Sequence, residues 1–561
     1  MERVVECVPN FSEGRDLEKI NAITSEIETV DDVKLLDVDP GESTNRTVVT
    51  LVGTPEGVAE AAFRAIAKAA EVIDMSTHTG AHSRMGATDV VPFVPVSGVT
   101  MEDCVELARK LGKRVGEELD IPVYLYENAA SKPDRKNLAT VRKGQYEGLP
   151  EKLKDPEWKP DFGPARFNSK TGATIIGARE FLIAYNVNIN SRDRKIAREI
   201  AFTIREKGRL KRDENRKVVR DENGKALRDP GIFKAVKAIG WYVDDFERAQ
   251  VSINLVNYKI SPPHKVFDEC CRIANELGAR VTGSELVGLI PLEAVLQAGE
   301  YFLRKSGKST GVPRAELIHI ADLSLGLSDL YPFKPEEKII EYQIRREDSL
   351  NDMDVNSFVD ELSTDSPAPG GGSVAALCGA LSGALSSMVA ALTHGKRKYQ
   401  DVFEEMEEIG VKAQKLKEEF LAAVDRDTDA FNELMDAFRM PKKKKEDKKK
   451  RDAAIEEATK NATMVPLSVL RNTREAAELA RRAFENGNRN SASDAGVAAL
   501  NARAAAEGAY FNIKINLAGI SDRKFVDEIS AEAEKIRDEV IAHTSETVEI
   551  TDQYLEDQLK E

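Results

Sequence analysis

Cysteine is scarce. The five residues Cys7, Cys104, Cys270, Cys271 and Cys378 are odd in number and include no C-x-x-C pair. That pattern excludes a disulfide framework and a cysteine-rich zinc site and suits a reducing compartment, so a cytoplasmic location is expected. The opening residues MERVVECVPN bring charge at once and lack the apolar stretch of a signal peptide. Excess positive charge is missing too: a formal net charge of -15 works against a general nucleic-acid binder, which needs a cationic field to displace counterions from phosphate. Residues 366–393 carry no charge, yet they are dominated by Gly, Ala and Ser rather than Leu, Ile and Val, so no membrane span is expected.

What is present is the composition of a folded protein, 41% hydrophobic and 32% charged, in a chain whose 561 residues exceed a single core. Up to about residue 330, β-rich runs such as VVECV, VKLLDVD, RTVVTLVG, IPVYLY, FLIAYNVNI and QVSINLV alternate with helical stretches such as GVAEAAFRAIAKAAEVI. This predicts an α/β or α+β half with subdomains at 1–180 and 181–330. Residues 331–351 are polar and proline-bearing and read as a linker. From 352 to 561 the alanine-rich amphipathic pattern predicts an all-α helical bundle. One of its helices can be counted: Val402, Met406, Ile409, Ala413, Leu416, Phe420, Ala423, Asp427, Phe431, Leu434 and Phe438 recur at steps of three and four, a stripe holding a single carboxylate.

Chemistry-bearing residues gather first at 78–95, HTGAHSRMGATDVVPFVP. His78 and His82 fit three readings: a metal pair, a general acid/base with its helper, or loop histidines satisfied by backbone. The metal reading has no evident third ligand beyond Asp89, so no metal is expected. Asn10, Glu13, Asp39, Asn45 and Arg46 fall at strand ends, where they either grip a small carboxylated substrate, with Arg46 as its partner, or cap solvated turns. The stretch 161–179, rich in Gly, Ser and Thr with two arginines and a lysine, suits a loop over an anionic or heteroaromatic ligand. Gly370, Gly371 and Gly372 precede a helix and either offer N–H groups to an anion or form a flexible helix entry. On the counted stripe Asp427 would be desolvated, which raises a carboxyl pKa toward the range useful for proton transfer; Asp425 and Asp429 lie off it. PKKKKEDKKKR, 441–451, reads as a solvated loop, as an electrostatic trap for a polyanionic tail, or as a nuclear-import or nucleic-acid segment.

In order along the first 330 residues, VECVPNFSEGRD, STNRTV, GAHSRMGATDVVPF, GATIIGAREFLIAYN, AQVSINL and GSELVGLIP resemble the formiminotransferase family. The second half, with SPAPGGGSVAALCGALSGALSSMV, VDRDTDAF, VPLSVL, GNRNSASDAGVAAL and GAYFNIKINL, resembles the cyclodeaminase and methenyl-folate cyclohydrolase family. Their order is that of the formiminotransferase-cyclodeaminase family. The resemblance implies His82 as the acid/base of the first half, Gly163, Pro164, Ala165, Arg166, Phe167, Asn168, Ser169, Lys170, Thr171 and Gly172 as a folate-binding segment, and Asp427 of the D-x-D motif as the catalytic group of the second. Ser83 stands where the family usually shows proline.

It further implies a folate enzyme of histidine degradation. N-formimino-L-glutamate would give its formimino group to tetrahydrofolate or its polyglutamylated form, which is a substrate and not a resident cofactor. The product would then close to 5,10-methenyltetrahydrofolate with loss of ammonia, in a homo-oligomer paired through the cyclodeaminase domain. Two alternatives remain open on sequence: formyl transfer from N-formylglutamate with cyclohydrolase action, and a non-catalytic folate-binding structural protein.

Overall fold

The β-branched runs become strands because branched side chains pack well on a pleated surface. In the computed structural model, which describes residues 3–42, 44–80, 82–244, 246–345, 349–366 and 368–560, these are β1 (Val4–Cys7), β2 (Asn10–Phe11), β3 (Val33–Gly41), β4 (Arg46–Gly53), β5 (Thr88–Ser97), β6 (Val123–Glu127) and β7 (Thr174–Ala178). They form one seven-stranded sheet ordered β1-β4-β2-β5-β7-β6, with β3 on β4. Only β5, β7 and β6 run parallel. Helices α1 (Leu17–Glu28), α2 (Pro55–Val72) and α3 (Met101–Glu118) bury Ile23, Ile66 and Leu111 in a core with Leu51, Phe93 and Ile176. Their starts are chemically marked: Asp16 caps α1, Thr54 caps α2 ahead of Pro55, and Thr100 with Asp103 forms a capping box on α3. After β6 come two single-turn helices, α4 (Leu138–Val141) and α5 (Leu149–Lys152).

A second sheet holds β8 (Ile183–Ile189), β11 (Val236–Val243), β12 (Arg248–Leu255) and β13 (Val281–Val287), all antiparallel in the order β11-β12-β8-β13. Between β8 and β11 lie α6 (Arg194–Ile204) and a small ladder of β9 (Arg209–Leu210) and β10 (Arg228–Asp229). α6 and α7 (Pro263–Glu276) pack on this sheet. The chain continues through α8 (Leu292–Lys305), α9 (Arg314–Leu325), α10 (Pro335–Lys338), α11 (Ile340–Gln343), α12 (Val355–Leu362), α13 (Gly371–Thr393), α14 (Phe403–Arg439), α15 (Lys445–Asn486), α16 (Ala492–Leu517) and α17 (Arg523–Lys560).

By contact the chain divides into two units, Met1–Ala294 with Leu325–Ile344, and Val295–Ser324 with Arg345–Glu561. The sequence pattern groups 295–324 with the α/β half, whereas in three dimensions they cluster with the helices. Polar contacts explain this: the amide and hydroxyl of Thr310 donate to Glu407, and Arg314 pairs with Glu418 at 2.9 Å. The polar linker likewise holds buried residues, Ile339, Ile340 and Leu350; its residues 346–348 lie outside the described residues.

In the helical unit, the small residues of α13 let its neighbours approach. A Cβ on Gly379 would sit 2.6 Å from the Phe420 ring, and one on Gly383 2.9 Å from the Ala413 carbonyl. α13 is long and apolar enough to cross a membrane by length and composition, and its Ala375, Ala376, Ala380, Val389 and Ala390 are buried among the other helices. The counted stripe on α14 holds from Met406 through Ala423, all buried. Past Asp427 it departs: Ala430 and Ala437 are buried, Phe431 and Leu434 half-buried, and Phe438 exposed. α13 and α14 are antiparallel and α13 starts level with Asp427, so the rest of α14 has lost that partner and turns toward α15, where Arg451 donates to the Phe438 carbonyl. The lysine run also differs from a loop: only its first residues precede α15, and Lys445–Arg451 form that helix's opening turns.

Candidate active sites

In the first unit the organising group is Asp89, at the start of β5 and fully buried. One oxygen accepts the Met85 amide at 2.9 Å; the other accepts both Arg46 and Arg142. Arg46 opens β4 and also donates through Nε and Nη2 to Asn10 Oδ1, and Asn10 is itself anchored by donating to the Val8 carbonyl at 2.7 Å. Two guanidinium groups on one carboxylate leave an uncompensated positive charge in a sheltered place, the arrangement that receives an anion. The Nε–H of Arg142 is buried and has no hydrogen-bond partner among the described residues.

The histidines separate into two roles. His78 Nδ1 accepts from Arg84 Nε at 3.2 Å, so its Nε2 carries the proton and donates to the Asn45 carbonyl at 2.9 Å. Both nitrogens are spent on structure. His82 Nδ1 donates to the Ser83 carbonyl at 2.7 Å, which fixes the tautomer that leaves Nε2 as a base. Burial, then the charge of Arg46, pushes the His82 pKa below its ordinary value, so the neutral ring prevails at pH 7. Among the described residues no group of three or more His, Cys, Asp and Glu is placed to hold a metal.

The 163–172 segment is stitched to the stretch that leads into the strand carrying Asp89. The Ala87 amide donates to the Thr171 carbonyl at 2.8 Å and the Ala173 amide to the Met85 carbonyl at 3.0 Å. Gly172 (φ +66°) faces the Met85 carbonyl where a Cβ would come within 2.2 Å, so glycine is required there. Asn168 Oδ1 accepts the amides of Lys170 and Thr171 and closes the turn, Phe167 packs 5.4 Å from the Tyr146 ring, and Arg166 pairs with Asp120. Pro164 is half-buried, and Gly163, Ala165 and Ser169 are exposed.

Other candidates fall elsewhere. Glu13 Oε1 accepts the amides of Gly14, Arg15 and Asp16, and Asn45, at φ +48°, bonds Gly14 and the Thr79 carbonyl, so both serve the turn. Asp39 lies outside the hydrogen-bonded cluster: it is exposed on β3 and lines a cleft of about 500 Å³ with Glu285, Tyr331 and Lys338. Sequence reasoning missed Arg142, and also Glu147, which holds Arg84 at 2.7 and 3.0 Å. Both depend on KNLATVRKGQYEGLP, a stretch of single turns with no periodicity; its only signal is an arginine among glycine-bearing turns.

In the helical unit Asp427 is half-buried and its Oδ2 accepts the Ser373 hydroxyl at 3.0 Å. It stands at the N-terminus of α13, with Gly370 at the cap and Gly372 so near that a Cβ there would lie 2.1 Å from Oδ1. The anion met by this glycine-rich helix start is therefore the protein's own carboxylate. Burial is the largest influence on Asp427 and raises its pKa, against the lowering effect of the Ser373 bonds. Asp425 is committed differently, accepting the Ser349 hydroxyl, the Leu350 amide and the Asn351 side chain at 2.7–2.8 Å. It fastens the linker to α14.

The chain thus joins an α/β half, in which a neutral imidazole lies near two guanidinium groups, to a helical unit with a partly buried carboxyl at a helix start, each an arrangement suited to acid–base chemistry. Residues 4–179 match the formiminotransferase domain, N-terminal subdomain, residues 184–345 the formiminotransferase domain, and residues 354–535 formiminotransferase-cyclodeaminase. The chain is 43% identical over 532 residues to a formimidoyltransferase-cyclodeaminase of Sus scrofa, covering 94% of this chain and 95% of that protein. It is 45% identical over 310 residues to a glutamate formimidoyltransferase of Thermoplasma acidophilum, 55% of this chain and 95% of the other. A methenyltetrahydrofolate cyclohydrolase of Methylorubrum extorquens is 41% identical over 180 residues, 32% of this chain and 86% of its own. The chain belongs to the formiminotransferase-cyclodeaminase family.

Proposed function

We infer that the first unit transfers a formimino group from N-formimino-L-glutamate to N5 of tetrahydrofolate, and that the second cyclises the product with release of ammonia. The observation that supports this best is His82, whose Nδ1 is held by the Ser83 carbonyl while its Nε2 is left as a neutral base near Arg46 and Arg142. As N5 attacks the formimino carbon, Nε2 takes the N5 proton. The imidazolium, made more acidic by the neighbouring guanidiniums, returns a proton to the departing glutamate nitrogen as the carbon–nitrogen bond breaks. Arg46 and Arg142 hold a carboxylate of the donor, and the 163–172 segment holds the folate.

In the second reaction N10 attacks the same carbon. Asp427 accepts the N10 proton and, as the acid, delivers it to the nitrogen that leaves as ammonia, giving 5,10-methenyltetrahydrofolate. A formyl reading is favoured by one observation, the likeness of the second half to a cyclohydrolase. A coupled assay offering N-formimino- or N-formylglutamate with tetrahydrofolate, read by methenyl-folate absorbance and by ammonia, decides between them. Methenyl-folate without ammonia, or turnover of the formyl donor alone, overturns the formimino reading; no turnover of either leaves a folate-binding structural protein.

The same reading places the enzyme in histidine degradation in the cytoplasm, without nucleic-acid or membrane partners, working on polyglutamylated folate as a homo-oligomer. Pairing is supported by exposed apolar residues on two helices that pack together: Leu381, Met388 and Leu392 on α13 and Val497, Leu500, Phe511 and Ile515 on α16. Large apolar side chains left exposed in number on neighbouring helices are a usual mark of an interface.

A further inference from the structure

We propose that Lys152 is a positioning residue for Arg142, closing residues 142–151 into an arm that carries the guanidinium to Asp89. This rests on the transferase reading of the first unit. The Lys152 ammonium donates to the carbonyls of Val141 and Lys143, the residues on either side of Arg142, the latter at 3.0 Å. Those carbonyls need an outside partner, because α4 is one turn long and ends at Arg142, its C-cap. The backbone then passes through two left-handed residues, Gly144 at φ +92° and Gln145 at φ +55°, and the second, which is not glycine, keeps that conformation only where its surroundings hold it.

What the staple closes is the part of the chain that clasps the site. Gln145 and Glu147 accept from Arg84, the Tyr146 amide donates to the Arg84 carbonyl at 2.9 Å, and the Tyr146 hydroxyl donates to the Ser169 carbonyl. The arm thus touches both the histidine loop and the 163–172 segment, and Arg142 at its root reaches Asp89. The ammonium sits 4.1 Å from the centre of the Trp158 ring, which favours a cation. The charged groups facing it are both basic: Arg135, which is itself spent on Asp161 at 2.7 Å, and Lys143. Burial, then Arg135, brings Lys152 down to about 8, so the staple weakens in mild alkali.

The test uses the full-chain enzyme and formimino transfer. Lys152→Met, which keeps the stem and removes the ammonium, is expected to raise KM for N-formimino-L-glutamate about tenfold to a hundredfold while kcat moves far less. In an Arg142→Met background the same change adds nothing, because the group it positions is gone. If the two effects multiply instead, Lys152 acts independently of Arg142 and the proposal is overturned. Should Lys152→Met not fold, the unmodified enzyme is compared with Arg142→Met: the KM of the former alone rises as pH passes through about 8. A rise in both, or in neither, overturns the proposal. Absence of formimino transfer in the unmodified enzyme strikes the transferase reading itself, so the two failures are told apart.

Discussion

At His82 the decisive detail is which nitrogen holds the proton. With Nδ1 on the Ser83 carbonyl and the pKa lowered by burial and Arg46, the base form persists below the ordinary histidine value of 6.5. The acid limb of kcat/KM for formimino transfer is therefore expected below pH 6.5. His82→Ala should abolish transfer while leaving cyclodeamination of supplied 5-formiminotetrahydrofolate near normal; equal loss of both in folded protein would sink the two-site assignment. Asp427 is the opposite case, a carboxyl raised above its ordinary 3.8 by burial. A carboxyl bound more tightly to its proton in the folded state favours folding at low pH and costs stability as pH rises through its folded pKa. Asp427→Asn should accordingly raise the Tm of the helical unit at pH 7 while lowering ammonia release by roughly 10²–10⁴-fold, the usual worth of a general acid/base. Asp425→Asn, which breaks the linker clasp at Ser349 and Leu350, should lower Tm and spare more activity. If Asp425→Asn proved the more damaging change to ammonia release, the assignment of Asp427 would fall.

Among the elements, the start of α13 and the start of α15 carry separate consequences. A methyl group on Gly372 has no room beside Asp427, since its Cβ would lie 2.1 Å from Oδ1. Gly372→Ala must displace the carboxylate, so it should remove cyclodeamination and leave transfer unchanged; retained ammonia release would show that Asp427 works from another position. The lysines of 442–450, partly wound into the opening turns of α15, are proposed to attract polyglutamate tails. Replacing them with glutamine is expected to raise KM for long-tailed folates and spare monoglutamyl folate. The difference should fade in high salt, because exposed charges are screened beyond about 8–10 Å at physiological ionic strength. Equal kinetics for both tail lengths in the variant would leave the run a solvated helix start.

For the whole molecule, the apolar faces of α13 and α16 predict association. Phe511 and Ile515 are 63% and 72% exposed, which is costly for large apolar groups unless a partner covers them. Phe511→Glu should shift the sedimentation coefficient toward a smaller species without loss of helical content; an unchanged species would place the interface elsewhere.

The sequence by itself determined the division into an α/β half and a helical half, because the periods of its apolar residues, near two and near 3.6, are local properties of the chain. It also brought forward His78, His82 and Asp427 as candidates through residue types that stand close together along the chain, while the choice of His82 and of the 163–172 segment rested on family resemblance. Only the tertiary structure decided what these groups meet. Arg142 reaches Asp89 across fifty-three positions of sequence, His78 is bonded through both ring nitrogens whereas His82 is bonded through Nδ1 to the Ser83 carbonyl, and Asp425 and Asp427, two residues apart, bond different elements. The helical affiliation of 295–324 and the turn of the α14 stripe beyond Asp427 were equally hidden. Each depends on which neighbour is packed alongside, and a linear pattern records the side chain a residue offers but not the partner that receives it.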